Sequence, residues 1–394
     1  MTSLPPLPLD PIVPELKAVA LRLGLAEKYR AIDRAPRFPR EEFRALGAAG
    51  LLGPRTPSRF GGRGLPLPRA GAALFHLGYL AGTTFAKLAL QPEFSSVLEE
   101  HGSPELVDRW FVPLVHGELL VGNQVTEPGA GSDAAAIRTE ARPEGDGYVL
   151  SGVKSEAAFA TDAEAAVVYA RVPGRERSDA YTAFLVPQDL PGVARELGPV
   201  DLGERWQRRG TVTYAQVRIP EGNRIGAEGA AFGYVQRELT REHALLAAIY
   251  LGVARASWDE TVTYVGERSA FGKPLSAQQA VAFPLVEDGA RLESTWLFVE
   301  RTLARLEQGL ASDADAALAK WMATDVALAT IDHAIQFHGG RGYSSALPHE
   351  QRWRDVRSGA IAHGPSEIMH LVAARALWPR ERADRRSADA APPP

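Results

Sequence analysis

The chain reads as an α+β protein, mainly α, with a strand-rich middle inserted between two helical regions. Three observations predict this. Apolar residues recur at helical spacing over residues 1–120 and again over 228–378. Over 121–227 the pattern changes to short apolar or alternating runs broken by Gly, Pro and Asp. Those runs follow one another without helices between them, which favours an antiparallel sheet or small barrel over the βαβ alternation of a dinucleotide-binding sheet.

In the first region the spacing predicts helices over Pro14–Arg30, Arg40–Ala48 and Gln91–His101, with a turn cluster over Thr56–Pro68 that contains Gly61-Gly62-Arg63-Gly64. In the middle, Gly147–Gly152, Ala165–Val172, Tyr181–Pro187 and Val212–Pro220 read as strands, separated by turn signals such as Glu144–Gly147 and Pro191-Gly192. In the last region Phe232–Arg268, Ser276–Gly309 and Asp313–Gly339 are long enough for a helical bundle. Residues 379–394 are charged and then Ala/Pro-rich, the composition of a disordered tail.

Composition narrows the chemistry. The 394 residues include no cysteine, which excludes disulfides, Cys-ligated zinc, iron–sulfur clusters and a thiolate nucleophile. A net charge of −4 argues against bulk binding to nucleic acid. No stretch approaches the roughly 18 consecutive apolar residues of a membrane helix, and the start lacks the basic and apolar segments of a secretory signal, so a cytoplasmic protein without membrane partners is expected. The nine histidines show no HxxxH or HExxH spacing, so no metal is expected. The Gly-rich loops do not fit nicotinamide-dinucleotide fingerprints. Trp206, Trp296 and Trp321 sit in apolar settings and read as core.

Four segments carry possible chemistry. Val125-Thr126-Glu127-Pro128-Gly129-Ala130-Gly131-Ser132-Asp133 combines two glycines with the Thr126 and Ser132 hydroxyls, a loop able to hold a cofactor's polar edge, or equally a turn opening the β region. Arg268–Leu275, with Gln279 behind it, offers a guanidinium for a pyrophosphate and Phe271 for a ring; it reads equally as a helix junction, Gly272 stopping one helix and Pro274 opening the next. Gln336–Tyr343 ends a helix at Gly339 and Gly340, whose bare backbone permits close ligand approach. The segment from Arg354-Asp355 to Glu367 starts another helix near Pro365.

Taken in this order, these segments resemble the acyl-CoA dehydrogenase family over nearly the whole chain. His101–Glu105, Gly152-Val153-Lys154 and Ile219-Pro220 continue the match. The resemblance implies an N-terminal helical domain (1–120), a middle β domain (121–227) and a C-terminal four-helix bundle (228–378). It implies FAD as cofactor and an acyl thioester, on CoA or a carrier protein, as substrate. A carboxylate would remove the α-proton while the β-hydrogen leaves as hydride. By motif position Val125, Thr126 and Ser132 lie along flavin and substrate, and Arg268, Phe271, Gln279, Gln336, Gly339 and Gly340 reach FAD. Several such contacts come from a neighbouring subunit in the family, which implies a homodimer or homotetramer, or a hetero-oligomer with a paralogue. An electron-transfer acceptor is also implied.

The chain departs from the family pattern at three places. The commonest catalytic glutamate precedes the Gly of the last motif; here that place holds His363, before Gly364. His363 is either a base, with an ordinary pKa near 6.5, or a polar remnant. Some branches carry the base on the long helix after the β domain, and that position is Glu242, followed by His243 where Arg is usual. Glu242 is either the base or a solvated helix-surface residue beside Arg241. Finally, Glu156 and Ala158 stand where many relatives place the Trp and Thr that contact flavin. Three readings follow: an acyl thioester dehydrogenase using Glu242, with His243 and Gly364 beside the substrate; a flavin monooxygenase or oxidase on the same scaffold; and a redox-silent subunit completing a partner's site.

Overall fold

The structure, a computed structural model, describes residues 10–174 and 177–378. The expected tail, 379–394, lies outside the described residues. The chain begins with α1 (Val13–Leu23), α2 (Leu25–Arg34), α3 (Arg40–Ala48), α4 (Leu67–Ala89) and α5 (Ser96–His101). Then α6 (Pro104–Leu106) runs through a π turn into α7 (Val112–Val115). The single helix expected over Pro14–Arg30 is two, because Gly24 takes a left-handed conformation and ends α1. The longest helix of this region, α4, has no counterpart among the expected elements. Its sequence is punctuated by Pro68, Gly71, Gly78 and Gly82, which read as turn signals until packing is known.

Residues 121–225 form one eight-stranded sheet. Its strands are β1 (Val121–Gln124), β2 (Glu140–Glu144), β3 (Gly147–Ala157), β4 (Ala165–Arg171), β5 (Tyr181–Pro187), β6 (Val193–Leu197), β7 (Gly210–Pro220) and β8 (Arg224–Ile225). The sheet is mixed rather than antiparallel, because β1 and β2 both run parallel to β4. Strands β4 and β5 are buried on both faces. Ala165, Val167, Tyr169, Ala183 and Leu185 pack into the helical core, while Ala166, Val168, Ala170, Phe184 and Val186 face a second core inside the β region. This period-2 partition is why these two strands are apolar throughout.

The last region holds α8 (Ala231–Glu267), a hairpin of β9 (Ser269–Ala270) and β10 (Lys273–Pro274), α9 (Gln279–Glu307), α10 (Asp313–His338), α11 (His349–Arg357) and α12 (Ser366–Leu377). Pro274 therefore ends the hairpin and caps a 3-10 turn over Leu275–Ala277, and the next α-helix begins only at Gln279. Residues 244–258 of α8 are all buried, so it is the axis of the molecule. It crosses α4 at glycines: a Cβ on Gly252 would stand 2.0 Å from the Phe75 carbonyl oxygen, and one on Gly78 would stand 2.6 Å from that of Ile249. Trp206 and Trp296 are buried as expected, whereas Trp321 is half-buried and packs edge-on against His370.

One buried node joins the three regions. Asp355 on α11 accepts from Tyr29 Oη of α2 (2.6 Å), from Thr83 Oγ1 of α4 (2.9 Å) and from the Glu204 amide of the β6–β7 connection (2.6 Å). Glu204 in turn meets buried Lys87 at 2.5 Å. Beside them Arg354 grips Asp33 at 2.7 Å. Removing the central carboxylate strands several buried donors, so Asp355→Ala is expected to lower unfolding free energy by about 3–5 kcal/mol. Chemical denaturation monitored by tryptophan fluorescence checks this; a loss under about 1 kcal/mol would contradict the node's role.

Candidate active site

Glu242 lies in the fourth turn of α8, and its surroundings differ from those of a surface glutamate. Its carboxyl is buried, and Arg241 beside it turns away to pair with Glu100 at 2.6 Å. One turn earlier, Glu238 is buried on the same face and accepts from Ser96 Oγ at 3.2 Å. Across from them stands Tyr169 of β4, whose hydroxyl feels both carboxylates. Burial disfavours the charged form and pushes the Glu242 carboxyl up to about 8. Burial and the charge of Glu242 likewise raise Glu238 well above the ordinary carboxylate range.

The loop before α12 brings His363 to the same place. Its Nδ1 stands 3.1 Å from Glu242 Oε2, so two residues that the sequence offers as rival bases form one pair. His363 has a φ of 52°, a left-handed conformation unfavourable for a residue with a Cβ. The surroundings force it. Lys320 of α10 is buried and spreads its ammonium over three successive carbonyls, Ala362 at 2.6 Å, His363 at 3.2 Å and Gly364 at 2.6 Å. His243 Nε2 also donates to the His363 carbonyl at 2.7 Å. The ring itself stacks on Phe94, centroid to centroid 5.0 Å. Burial pushes Lys320 down to about 7 and His243 down to about 3, so His243 stays neutral. His243 thus clamps the loop.

The third wall is the loop 125–133. Asn123, at the end of β1, donates to the Phe94 carbonyl at 3.0 Å, which fixes the loop's start beside the Phe94–His363 stack. Glu127 then sets its shape. The carboxylate meets buried Lys154 at 2.8 Å and accepts the amides of Arg138 (2.6 Å) and Thr139 (3.0 Å), while Lys154 also donates to the Val125 carbonyl at 3.0 Å. Burial lowers Lys154 to about 8. Val125 and Thr126 are half-buried at the wall, and Ser132 is exposed on the loop's outer limb. Gly129 and Gly131 have open space where a Cβ would stand, so nothing within the chain requires glycine there. Bare, exposed backbone of this kind is free to admit a flat ligand closely.

The remaining predicted residues lie elsewhere. Arg268 caps the far end of α8, about 40 Å along the helix from Glu242. Tyr264 stacks on His338 at 4.2 Å, so α10 runs beside α8 in the same direction and brings Gln336, Gly339 and Gly340 to that far end. Gln279 opens α9 there. These five residues and Phe271 are all exposed. Phe271 is the clearest case: it occupies the tip of the β9–β10 hairpin with φ 52° and is 98% exposed. That position favours Asn or Gly, so the turn spends backbone strain to present an aromatic ring outward. One chain therefore does not bring the two groups of residues to one ligand.

Glu156 and Ala158 also have defined surroundings. Glu156 sits at an irregularity in the β3–β7 ladder with φ 54°, pointing outward to Arg209 at 3.0 Å. Among the described residues, no group of three or more acidic or histidine side chains could hold a metal ion, and no helix is long and apolar enough to cross a membrane. Sequence reading passed over Lys320, Phe94 and the role of Glu127. A signal existed for Lys320: it falls among alanines at the buried positions of its helix, where a lysine needs a reason.

Three family models tile the chain: the N-terminal domain of acyl-CoA dehydrogenases over residues 21–118, the middle domain over 122–217 and the C-terminal domain over 229–378. The chain is 32% identical over 344 residues to the mitochondrial short-chain specific acyl-CoA dehydrogenase of Bos taurus, spanning 87% of this chain and 84% of that protein. It is 33% identical over 359 residues to the benzylmalonyl-CoA dehydrogenase of Aromatoleum aromaticum, covering 89% and 93% respectively. Among solved structures, an FAD complex of PigA superposes with a TM-score of 0.86 at 26% identity, covering 94% of this chain and 98% of that one.

The buried carboxyl has a consequence for stability. Folded Glu242 keeps its proton up to about 8, whereas an unfolded glutamate releases it near 4.5. Between those values the folded state binds more protons, so this group's contribution to stability falls as pH rises from 4.5 to 8. Glu242→Gln removes that dependence. The variant is expected to gain on the order of 2 kcal/mol over the native chain at pH 8.5 and little at pH 5. Melting temperatures of both proteins across that range check it; a pH-independent difference would count against a buried acid.

Proposed function

The chain belongs to the acyl-CoA dehydrogenase family, and on that premise we propose that it is an FAD-dependent oxidoreductase that removes the α and β hydrogens of an acyl thioester. One observation carries the reading: a buried carboxyl, Glu242, tuned to about 8 where three loops and helices converge. A base serves best with a pKa near working pH, and desolvation supplies that here. The glycine-lined loop 125–133 and the outward-facing Arg268, Phe271, Gln279, Gln336, Gly339 and Gly340 fit FAD, because they are exposed and Gly129, Gly131 and Gly340 have open space where a Cβ would stand.

When bound, FAD supplies the hydride acceptor. The chain supplies the rest. Glu242 takes the α-proton, and its low-dielectric surroundings strengthen that step by denying the carboxylate competing water. Lys320 and His243 hold residues 362–364, and through them the wall beside the base. Thr126 and Ser132 offer hydroxyls on the opposing loop. The two separated groups of residues support a homo-oligomer in which the far end of one subunit's bundle completes its neighbour's cofactor site. The likeness to CoA-ester dehydrogenases supports a CoA thioester as substrate. An external electron-transfer acceptor is part of the same reading.

A second reading, an oxygen-using oxidase or monooxygenase, draws support from Glu156 and Ala158, which leave the β3 side without the usual aromatic and hydroxyl contacts. Oxygen consumption that depends on substrate would favour it.

The protein is expected to purify yellow, or to become so with added FAD, and to bleach on mixing with a matching acyl-CoA. Glu242→Gln should slow bleaching by about 10²–10⁴-fold; bleaching at the native rate would remove Glu242 from its role. The rate at low substrate should rise with pH and level off above about 8, as Glu242 ionises. A flat profile from pH 6 to 9 would contradict it. Lys320→Met, which frees three carbonyls and the His363 loop, should also slow bleaching, by about tenfold or more; stopped-flow absorbance measures both.

A further inference from the structure

We propose that the closed side of the site, where Glu238, Ser96, Tyr169 and Asn123 meet, is a subsite for a hydroxyl on the acyl group, so that the substrate is a hydroxyacyl thioester and not a plain hydrocarbon one. The inference rests on the reading of the chain as an acyl thioester dehydrogenase with Glu242 as base.

A thioester at Glu242 extends to both sides of its α-carbon. One side carries CoA or a carrier, which is too large to be enclosed and must lead to solvent. The other is the short acyl end, which the protein houses. Glu238 precedes Glu242 by one helical turn on the same face, so their Cβ atoms stand about 6 Å apart. Glu238, Ser96 and Tyr169 are all buried, so this side has no room for the carrier and falls to the acyl end.

A pocket for a hydrocarbon chain is apolar, because each buried polar group that the chain leaves unpaired costs free energy. This side is polar instead. Glu238 accepts from Ser96 Oγ at 3.2 Å, and the Val97 amide also favours its charged form. The Tyr169 hydroxyl is fully buried and has no hydrogen-bond partner. Asn123 influences that hydroxyl from β1, yet its own Oδ1 is also buried without a partner, while its Nδ2 is held by the Phe94 carbonyl at 3.0 Å. Tyr169 and Asn123 thus present a free phenol and a free amide oxygen beside two buried carboxyls. Capping the start of α5 accounts for Glu238 in part, but it leaves these two groups without work.

Charge selects the kind of substituent. Three buried acids, Glu93, Glu238 and Glu242, are faced by three cations, Arg55, Arg241 and Lys320. An added carboxylate would meet two acids, and an added ammonium would upset the balance of three against three. A hydroxyl adds no charge. It donates once and accepts twice, which suits a carboxyl, a phenol and an amide oxygen together.

The test uses the FAD-loaded enzyme and two isosteric pairs of thioesters: γ-hydroxybutyryl-CoA against pentanoyl-CoA, and δ-hydroxypentanoyl-CoA against hexanoyl-CoA. In each pair a methyl replaces the hydroxyl. Bleaching rates give the ratio of kcat/KM within a pair, and calorimetry gives the ratio of Kd for the matching 2-enoyl products, whose binding needs no base. In at least one pair the hydroxyl compound is expected to be favoured by about tenfold or more in both ratios. Glu238→Leu should lower that preference by about tenfold, and Tyr169→Phe, which removes only an unpartnered hydroxyl, by about fivefold. Glu238→Gln, which still donates and accepts without charge, should keep most of it. A merely structural Glu238 would lower all four rates together and leave the ratios alone. The subsite is overturned if the methyl compound matches or beats the hydroxyl one in both pairs, or if the ratios survive both Glu238→Leu and Tyr169→Phe. A preference lost as fully in Glu238→Gln as in Glu238→Leu overturns the uncharged partner. A protein that neither bleaches with the four thioesters nor binds their products overturns the dehydrogenase reading, and the subsite with it.

Discussion

The structure depends on a carboxylate far from any reaction. Asp355 gathers buried hydrogen bonds from two N-terminal helices and from the β region, and it sits on the C-terminal bundle. The candidate site has no single parent. One wall is a loop from the sheet, one is the axis helix, and one is the loop before the last helix. Their spacing is meaningful only if the three regions keep fixed positions, and a node of buried, mutually satisfied polar groups fixes position more sharply than apolar contact does. The Arg354-Asp355 pair entered the sequence reading as part of a motif; its role is to hold the regions together.

At the site itself, two opposing tendencies are balanced. Burying Glu238, Glu242 and Lys320 in one neighbourhood costs desolvation, and it shifts every one of them toward the neutral form. The chain tolerates this because each group has hydrogen-bond work: Glu238 holds the start of α5, Lys320 closes three carbonyls, and Glu242 meets an imidazole. What results is a carboxyl poised near neutrality beside a histidine held in a strained backbone. Strain of that kind persists only where surroundings over-determine it, and here an ammonium, an imidazole and an aromatic ring do so.

Much of the fold was legible. Helical and strand periods located α3, α8, α9, α10 and the four principal strands because each carries its own apolar pattern between clear turn signals. Helix α4 escaped because its glycines serve close packing against α8, a reason invisible until the partner helix is known. The parallel placement of β1 and β2 escaped because strand direction is a long-range choice. Within the site, Glu242 and His363 were both named from their positions in motifs, yet as alternatives. Glu127 was read as one residue of a turn, although its pairing with Lys154 gives the loop its form.

The sequence by itself determined the kinds of element, their order, the family, and the exclusion of thiol chemistry. These follow from local pattern and from which residue types are present. Tertiary structure alone decided that Glu242 is buried rather than solvated, that His363 lies 3.1 Å from it although 121 positions separate them, and that Arg268 and Phe271 stand at the opposite end of a long helix. The physical reason is that burial and proximity belong to the packed chain: the same glutamate one turn along a helix is a solvated acid or a dry base according to what covers it, and only the folded neighbours supply the cover.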